Sequence, residues 1–499
     1  MKLKRKIPVI MFTQHPDNAG IPYWYDSPLI KTHREPKECF QLFSDFGGHE
    51  FMWDWEGKLV DESVIERFFS KYHEYFSKNQ IGKDVFLTFR IPNPKVESGF
   101  KLGKTFITIL SAEQIAKRAG MHTPPLFEVI LPLTESAADL YNINSLFRQI
   151  SQTMSSSFNE TAKSLKDIEL IPLFESVQTI MRSGKILDEY TKIVKKELGK
   201  ELKYIRPFVA RSDPALNSGI VATTLSIKWA LSEFAKFSAK TNIATYPIIG
   251  PGVLPFRGGL EPRNVKDFVS EFAGVRTVLI QSSFRYDFPF GEVKKSLKEL
   301  VLEIPKHNTK ILLKGDLKNI EQMITWFEEP YKKAVENIAK EIQKVSKYIP
   351  QRRERVQHIG LFGYSRSVGK LQLPRAIGFT ASCYSLGIPP EFFGVGEGLK
   401  KVIKAGLVDE LESFYQNLRP NLVQAGRFLR RKSLKEFKLN DLEEEIKIIE
   451  KFLGTTLGPK TDKDRLHEKY VAKIIQKLSI GKNPKPEIEK AAILRNSLG

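Results

Sequence analysis

Short apolar runs recur from Val9 to Phe362, and most are followed by polar residues and then by a stretch of helical spacing. The first run, Val9-Ile10-Met11-Phe12, predicts a short buried strand. Further strands are predicted at Val85–Phe89, Phe127–Leu131, Ile168–Leu173, Tyr204–Ala210, Ile243–Ile249, Thr277–Gln281 and Val356–Phe362. Pro22 to Trp55 is rich in aromatics and reads as irregular. Helical spacing covers Asp61–Lys78, Ser111–Ala119, Ala138–Met154, Val177–Leu198 in two stretches, and Gly219–Lys240, with a largely helical insertion over Val293–Lys347. Beyond Leu371 only helices are predicted.

Eight strands separated by helices, with polar residues closing most of them, predict an α/β fold: a TIM-like (β/α)8 barrel with large helical insertions and a helical C-terminal region. A doubly wound sheet is the alternative, but candidate residues at so many strand ends suit a ring better. The expected organisation is a single catalytic domain over residues 1–499, with the barrel at about 7–370 and the helical part at about 371–499.

In such a barrel the strand ends converge on one bowl. It would hold His15, Arg90, Glu175, Asp213, Arg257, Arg285 and Arg366, with Arg375 close behind. Glu175 and Asp213 end successive predicted strands, which lie roughly 5 Å apart, and so are placed to share one divalent ion. Carboxylates without clustered Cys or His suit Mg2+ or Mn2+ rather than zinc. Each acid would serve equally as a helix cap or an arginine partner, and a lone histidine beside a strand is often structural. Several arginines around one bowl point to a multiply charged anion, because guanidinium groups bind phosphate and carboxylate through paired hydrogen bonds. Arg257-Gly258-Gly259 would let backbone approach that anion closely.

Composition narrows the partners. Lys plus Arg number 78 against 58 acidic residues, a formal net charge of +20 that favours anionic partners. The basic residues are spread along the chain apart from small clusters at Arg352-Arg353 and Arg430-Arg431-Lys432, which reads as a solvated surface rather than a nucleic-acid interface. Cys39 and Cys383 make neither a disulfide framework nor a zinc site and fit a reducing cytoplasm. The basic N-terminus precedes an apolar run too short for a signal sequence or a membrane span. No phosphate-binding loop of the form G-x-x-x-x-G-K-[ST] and no biotin-carrier Met-Lys-Met occurs, so no nucleotide and no biotin are expected. The residues alone therefore indicate a metal-assisted reaction on a small phosphorylated acid.

The motifs carry a resemblance over essentially the whole chain. Thr13 to Ala19 resembles the opening histidine motif of archaeal-type phosphoenolpyruvate carboxylases, the short branch of that family. Ile171-Pro172-Leu173-Phe174-Glu175 is similar to the family's metal-ligand strand, and Ser212-Asp213-Pro214-Ala215 to its second carboxylate motif. Phe256-Arg257-Gly258-Gly259 matches part of the glycine-rich catalytic loop, and Ser365-Arg366 and Leu373-Pro374-Arg375-Ala376-Ile377 resemble two arginine segments on the phosphate side. The resemblance implies irreversible carboxylation of phosphoenolpyruvate by bicarbonate to oxaloacetate and phosphate, through carboxyphosphate and pyruvate enolate, without biotin. It implies metal ligation by Glu175 and Asp213, catalytic roles for His15, Arg257 and Arg90, and substrate binding by Arg366, Arg375, Arg285, Gly258 and Gly259. It also implies a cytoplasmic homotetramer and dicarboxylate inhibition, by aspartate or malate, at the tail residue Asn496. The long forms of the family carry a second glycine-rich repeat and a lysine three residues after the metal aspartate; here Leu260-Glu261-Pro262-Arg263 and Leu216 stand instead. The alternatives are another Mg2+-dependent barrel enzyme acting on phosphoenolpyruvate or a keto acid, and a basic nucleic-acid-binding protein.

Overall fold

The computed structural model describes residues 6–56, 62–97, 100–157, 165–354, 366–368 and 371–499. Eight parallel strands close into a barrel: β1 Ile10–Phe12, β2 Glu50–Asp54, β3 Phe86–Arg90, β4 Glu128–Leu131, β5 Glu169–Phe174, β6 Phe208–Ala210, β7 Ile248–Gly250 and β8 Thr277–Ile280. Closure falls at β1, where Met11 is level with Glu50 on one side and Leu279 on the other.

Alternation along each strand sorts residues between the helices outside and the barrel lumen. Phe51, Trp53, Leu87, Phe89, Val129, Val209 and Val278 face outward and join one core with the surrounding helices. Trp53, for example, meets Phe68 of helix Val64–Lys78 edge-on at 5.8 Å. The lumen is layered. At its base, Arg206 donates to Glu50 at 2.9 and 2.6 Å, to Glu128 at 2.7 Å and to Thr277 at 3.1 Å, all of them buried. These residues belong to alternate strands or the approach to one, the pattern by which barrel interiors fill. Above them lies an apolar plug that includes Met11, Met52, Ile130, Leu173, Phe208, Ile248 and Leu279. Above the plug the strand ends turn polar again.

Two strand expectations change. Val356–Phe362 lies outside the described residues, and the ring closes without it. The eighth strand is instead β2, inside the segment that reads as irregular, which also contains helix Glu35–Phe46. In β2 the alternation is inverted in appearance: its aromatics face helices, while Glu50 and Asp54 face arginines in the lumen. The runs Tyr204–Ala210 and Ile243–Ile249 each break at a proline, Pro207 and Pro247, which lacks a backbone N–H. Short pieces before each proline pair with one another outside the barrel ladder.

Helix Ser212–Thr241 starts earlier than its spacing predicts because it is kinked at Gly219, which has φ +81°. A Cβ there would lie 2.9 Å from the Tyr331 ring of helix Lys314–Ser346. The helices beyond residue 371 pack around a second core that includes Phe327, Phe379, Leu399 and Ile446. Among the described residues, no helix is long and apolar enough to cross a membrane.

Candidate active site

The carboxyl ends of the strands open into a cavity of about 260 Å3. His15 lines it from the loop after β1, and its Nδ1 is 2.8 Å from Thr13 Oγ1. Burial, then Arg90 and Arg257, hold its imidazole well below the ordinary histidine range, so the ring is neutral at neutral pH.

Glu175 follows β5 directly. Ser176 caps the next helix, its hydroxyl accepting from Thr179 N–H, and this fixes the turn that presents Glu175. Its carboxylate accepts from Leu133 N–H at 2.6 Å. Asp213 lies in the first turn of helix Ser212–Thr241, after β6, the strand beside β5. Both acids line the cavity. Among the described residues no group of three or more His, Cys, Asp or Glu side chains gathers as a metal site, and Glu175 and Asp213 are among the carboxylates on the cavity wall. A pair of hard oxygen ligands fits a hard divalent cation that takes its remaining ligands from water and substrate.

Arg257 is buried at the tip of a tight loop whose backbone bonds to itself, with Gly252 N–H donating to Arg257 C=O at 2.7 Å and Gly259 N–H to Leu254 C=O at 3.0 Å. Its guanidinium donates to Ser212 Oγ at 3.1 Å, to Asp17 at 3.1 Å, to Gln281 and to the Gly499 carbonyl at 2.6 Å. The chain's last residues therefore form part of the wall, and Leu498 lines the cavity. Gly258 and Gly259 face a smaller cavity of about 120 Å3 behind the loop rather than the bowl. Asp17 ties these pieces together. Besides Arg257, it accepts from Ser283 N–H at 2.9 Å, and its carbonyl accepts from Leu498 N–H at 2.7 Å.

Arg90 lines the bowl but is engaged by two acids: Asp54 holds it through two bonds of 2.9 and 2.8 Å, and Glu56 through a contact of 2.5 Å. Arg375, about one-third exposed at its side chain, also lines the cavity and lies 3.5 Å from the same Glu56 carboxylate. Arg285 does not line the bowl. It is buried beneath, donating to the Thr13 and Ile280 carbonyls at 2.9 and 2.6 Å and to Glu38 at 3.1 Å, and so braces β1 against β8. Arg366 begins a short strand, Arg366–Val368, paired with Leu371–Leu373; its side chain is outside the described residues. Asn496 lies outside the cavity lining, with Oδ1 3.5 Å from Lys463 Nζ. The structure adds lining residues that spacing does not reveal: Asp54, Gln281, Arg352 and Arg353. Arg353 is held by Glu38 at 2.7 and 2.8 Å, and Arg352 by the Asn18 and Ala19 carbonyls at 2.9 and 3.0 Å. An adjacent arginine pair after a proline was the one sequence signal for these two.

A (β/α)8 barrel whose open end gathers carboxylates, a histidine and several arginines suits chemistry on small anionic substrates. The family model described as phosphoenolpyruvate carboxylase matches residues 7–499. The phosphoenolpyruvate carboxylase of Leuconostoc mesenteroides is 38% identical over 482 residues, 95% of each chain. That of Oenococcus oeni is 35% identical over the full length of both, and that of Pyrococcus horikoshii is 39% identical over 88% of this chain and 92% of its own. The chain belongs to the archaeal-type phosphoenolpyruvate carboxylase family.

Proposed function

We propose that the bowl carries out the reaction for which these relatives are named, the carboxylation of phosphoenolpyruvate, with bicarbonate as co-substrate. The enzyme is a carboxy-lyase. A bicarbonate oxygen attacks phosphorus, the bond from phosphorus to the enol oxygen breaks, and carboxyphosphate and pyruvate enolate result. Carboxyphosphate then splits to CO2 and phosphate, and the enolate carbon attacks CO2 to give oxaloacetate. The observation that carries this reading is the shared wall of Glu175, Asp213, His15, Arg257 and Arg375 around one cavity.

A divalent metal, Mg2+ or Mn2+, would be held by Glu175 and Asp213, and when bound it supplies Lewis-acid neutralisation of negative charge. Arg375 and Arg366 bind the phosphoryl side, and Arg257 the carboxyl-bearing fragment. His15, neutral in its buried seat, takes the proton of carboxyphosphate as CO2 leaves and returns it to phosphate. Arg90 positions Asp54 and Glu56 along the rim, and Arg285 holds β1 and β8 in register beneath. A homotetramer and dicarboxylate inhibition involving Asn496 complete the proposal; a solution mass measurement and an aspartate titration check them.

The test is oxaloacetate formation from phosphoenolpyruvate and bicarbonate with Mg2+, without nucleotide or biotin, followed through malate dehydrogenase and NADH. Turnover that needs both substrates and stops with chelator is expected. Asp213→Asn is expected to abolish it while leaving the fold intact. Near-normal turnover of that variant at saturating Mg2+ would overturn the ligand assignment, and bicarbonate-independent turnover would overturn the reaction.

A further inference from the structure

Glu391 lies outside the bowl, in the turn Pro390–Phe392, and is fully buried. Its Oε1 accepts two hydrogen bonds, from the backbone N–H of Phe256 at 2.8 Å and from the Tyr384 hydroxyl at 2.7 Å. Its Oε2 has no hydrogen-bond partner among the described residues. Phe256 immediately precedes Arg257. Tyr384 in turn lies under the Arg495 guanidinium, 5.6 Å from the ring centroid, and Arg495 donates to the Leu498 carbonyl at 2.7 Å. The next residue, Gly499, accepts from Arg257 at 2.6 Å. These contacts form a ring. From Glu391 it reaches Arg257 through the loop backbone, crosses to the tail, and returns through Arg495 and Tyr384.

We propose that Glu391 is a positioning residue for Arg257: as a carboxylate it clamps loop and tail together, and on taking up a proton it loosens them. A carboxylate accepts hydrogen bonds about twice as strong as a neutral group does. Once protonated, the acid keeps only a weak carbonyl acceptor. Its new O–H donor points where no acceptor lies, at the cost of a buried unsatisfied group.

The charged and titratable groups facing Glu391 are few. Tyr384 and Cys383, on helix Ala376–Ser385, are kept neutral by burial. Arg211, at the end of β6, donates to the other side of Phe256, its carbonyl, at 3.3 Å. Arg495 lies beyond Tyr384. Burial pushes the Glu391 carboxyl up to about 7, against the opposing pull of Tyr384 and the Phe256 N–H, so the clamp works within the neutral range.

The inference rests on Arg257 acting in the bowl, and the experiment separates the two. Turnover of wild type, Glu391→Gln, Tyr384→Phe and Arg257→Ala is measured from about pH 6 to about pH 9, with kcat and KM resolved. Glu391→Gln holds the neutral form permanently. Its kcat is expected to fall by ~10-fold relative to wild type at the alkaline end and to converge with wild type at the acid end, with KM for phosphoenolpyruvate little changed. Ionisation of the substrates is common to both proteins and cancels in the ratio. Tyr384→Phe removes one donor from the carboxylate and is expected to move the wild-type limb to higher pH. A wild-type to Glu391→Gln ratio that is constant with pH, or an unmoved limb in Tyr384→Phe, overturns the proposal. Should Glu391→Gln fail to fold, Tyr384→Phe alone decides. An active Arg257→Ala would instead overturn the role of Arg257.

Discussion

At His15, burial and two neighbouring arginines favour the uncharged imidazole, which leaves it able to accept a proton first and to give it up readily afterwards. His15→Asn keeps a polar group of similar reach but removes that capacity. Oxaloacetate formation is expected to drop by at least ~10²-fold, the scale of a positioned acid–base group, while some bicarbonate-dependent phosphate release survives because phosphoryl transfer comes first. Unchanged oxaloacetate formation would remove histidine from the chemistry. His15, Glu175 and Asp213 were legible just after predicted strands, Arg257 in the glycine-rich loop that follows one, and Arg375 only as a residue beyond the last of them, and they do share one cavity. Asp17, Asp54 and Gln281 were not. Each answers an arginine from a distant part of the chain, and a pairing across 24 to 240 residues leaves no trace in local spacing.

Among the elements, the Gly250–Gly259 loop that carries Arg257 is tightly constrained. Gly258 has φ +122°, and a Cβ there would lie 2.8 Å from the Pro251 side chain. Gly258→Ala is expected to add strain of ~1–3 kcal/mol and to displace Arg257, lowering kcat together with the thermal midpoint. An unchanged kcat would show that the loop tolerates another path. The same scale explains what spacing found and missed among strands. β4 and β5 read as apolar runs because their outward and upper inward residues are both apolar, and β3 because Leu87 and Phe89 face outward beside Phe86, although its inward Thr88 and Arg90 are polar. β2 escaped because two of its three inward residues, Glu50 and Asp54, are acids matched to Arg206 and Arg90, with Met52 between them, so a lumen-facing strand looked like a polar, aromatic loop.

For the whole molecule, stability is set partly by charges sealed from water. Arg206→Met leaves Glu50 and Glu128 buried without their cation and is expected to cost ~3–5 kcal/mol, read as a lower unfolding midpoint, with activity per folded molecule kept because the apolar plug separates base from bowl. An unchanged midpoint would mean that the acids find other partners. Glu445 gives a pH dependence of definite sign. Burial pushes its carboxyl up to about 7, opposed by backbone N–H groups of Gly394, Gly396 and Glu397, from an ordinary value of 4.5. The folded state then holds the proton more tightly than the unfolded chain. Its stabilisation is complete below the unfolded value, declines as pH rises, and is lost once pH passes about 7, at roughly 1.4 kcal/mol per pH unit. Glu445→Gln is expected to flatten that part of the midpoint-against-pH curve; a parallel curve would refute it.

The Leu498 N–H bond to the Asp17 carbonyl joins residues from opposite ends of the chain. Its consequence appears during synthesis. The barrel is complete once β8 has emerged, yet the wall against Arg257 waits for about 220 further residues. At the usual pace of translation that interval is on the order of 10–40 s. A nascent chain therefore carries all eight barrel strands well before it carries the residues that close the cavity wall against Arg257.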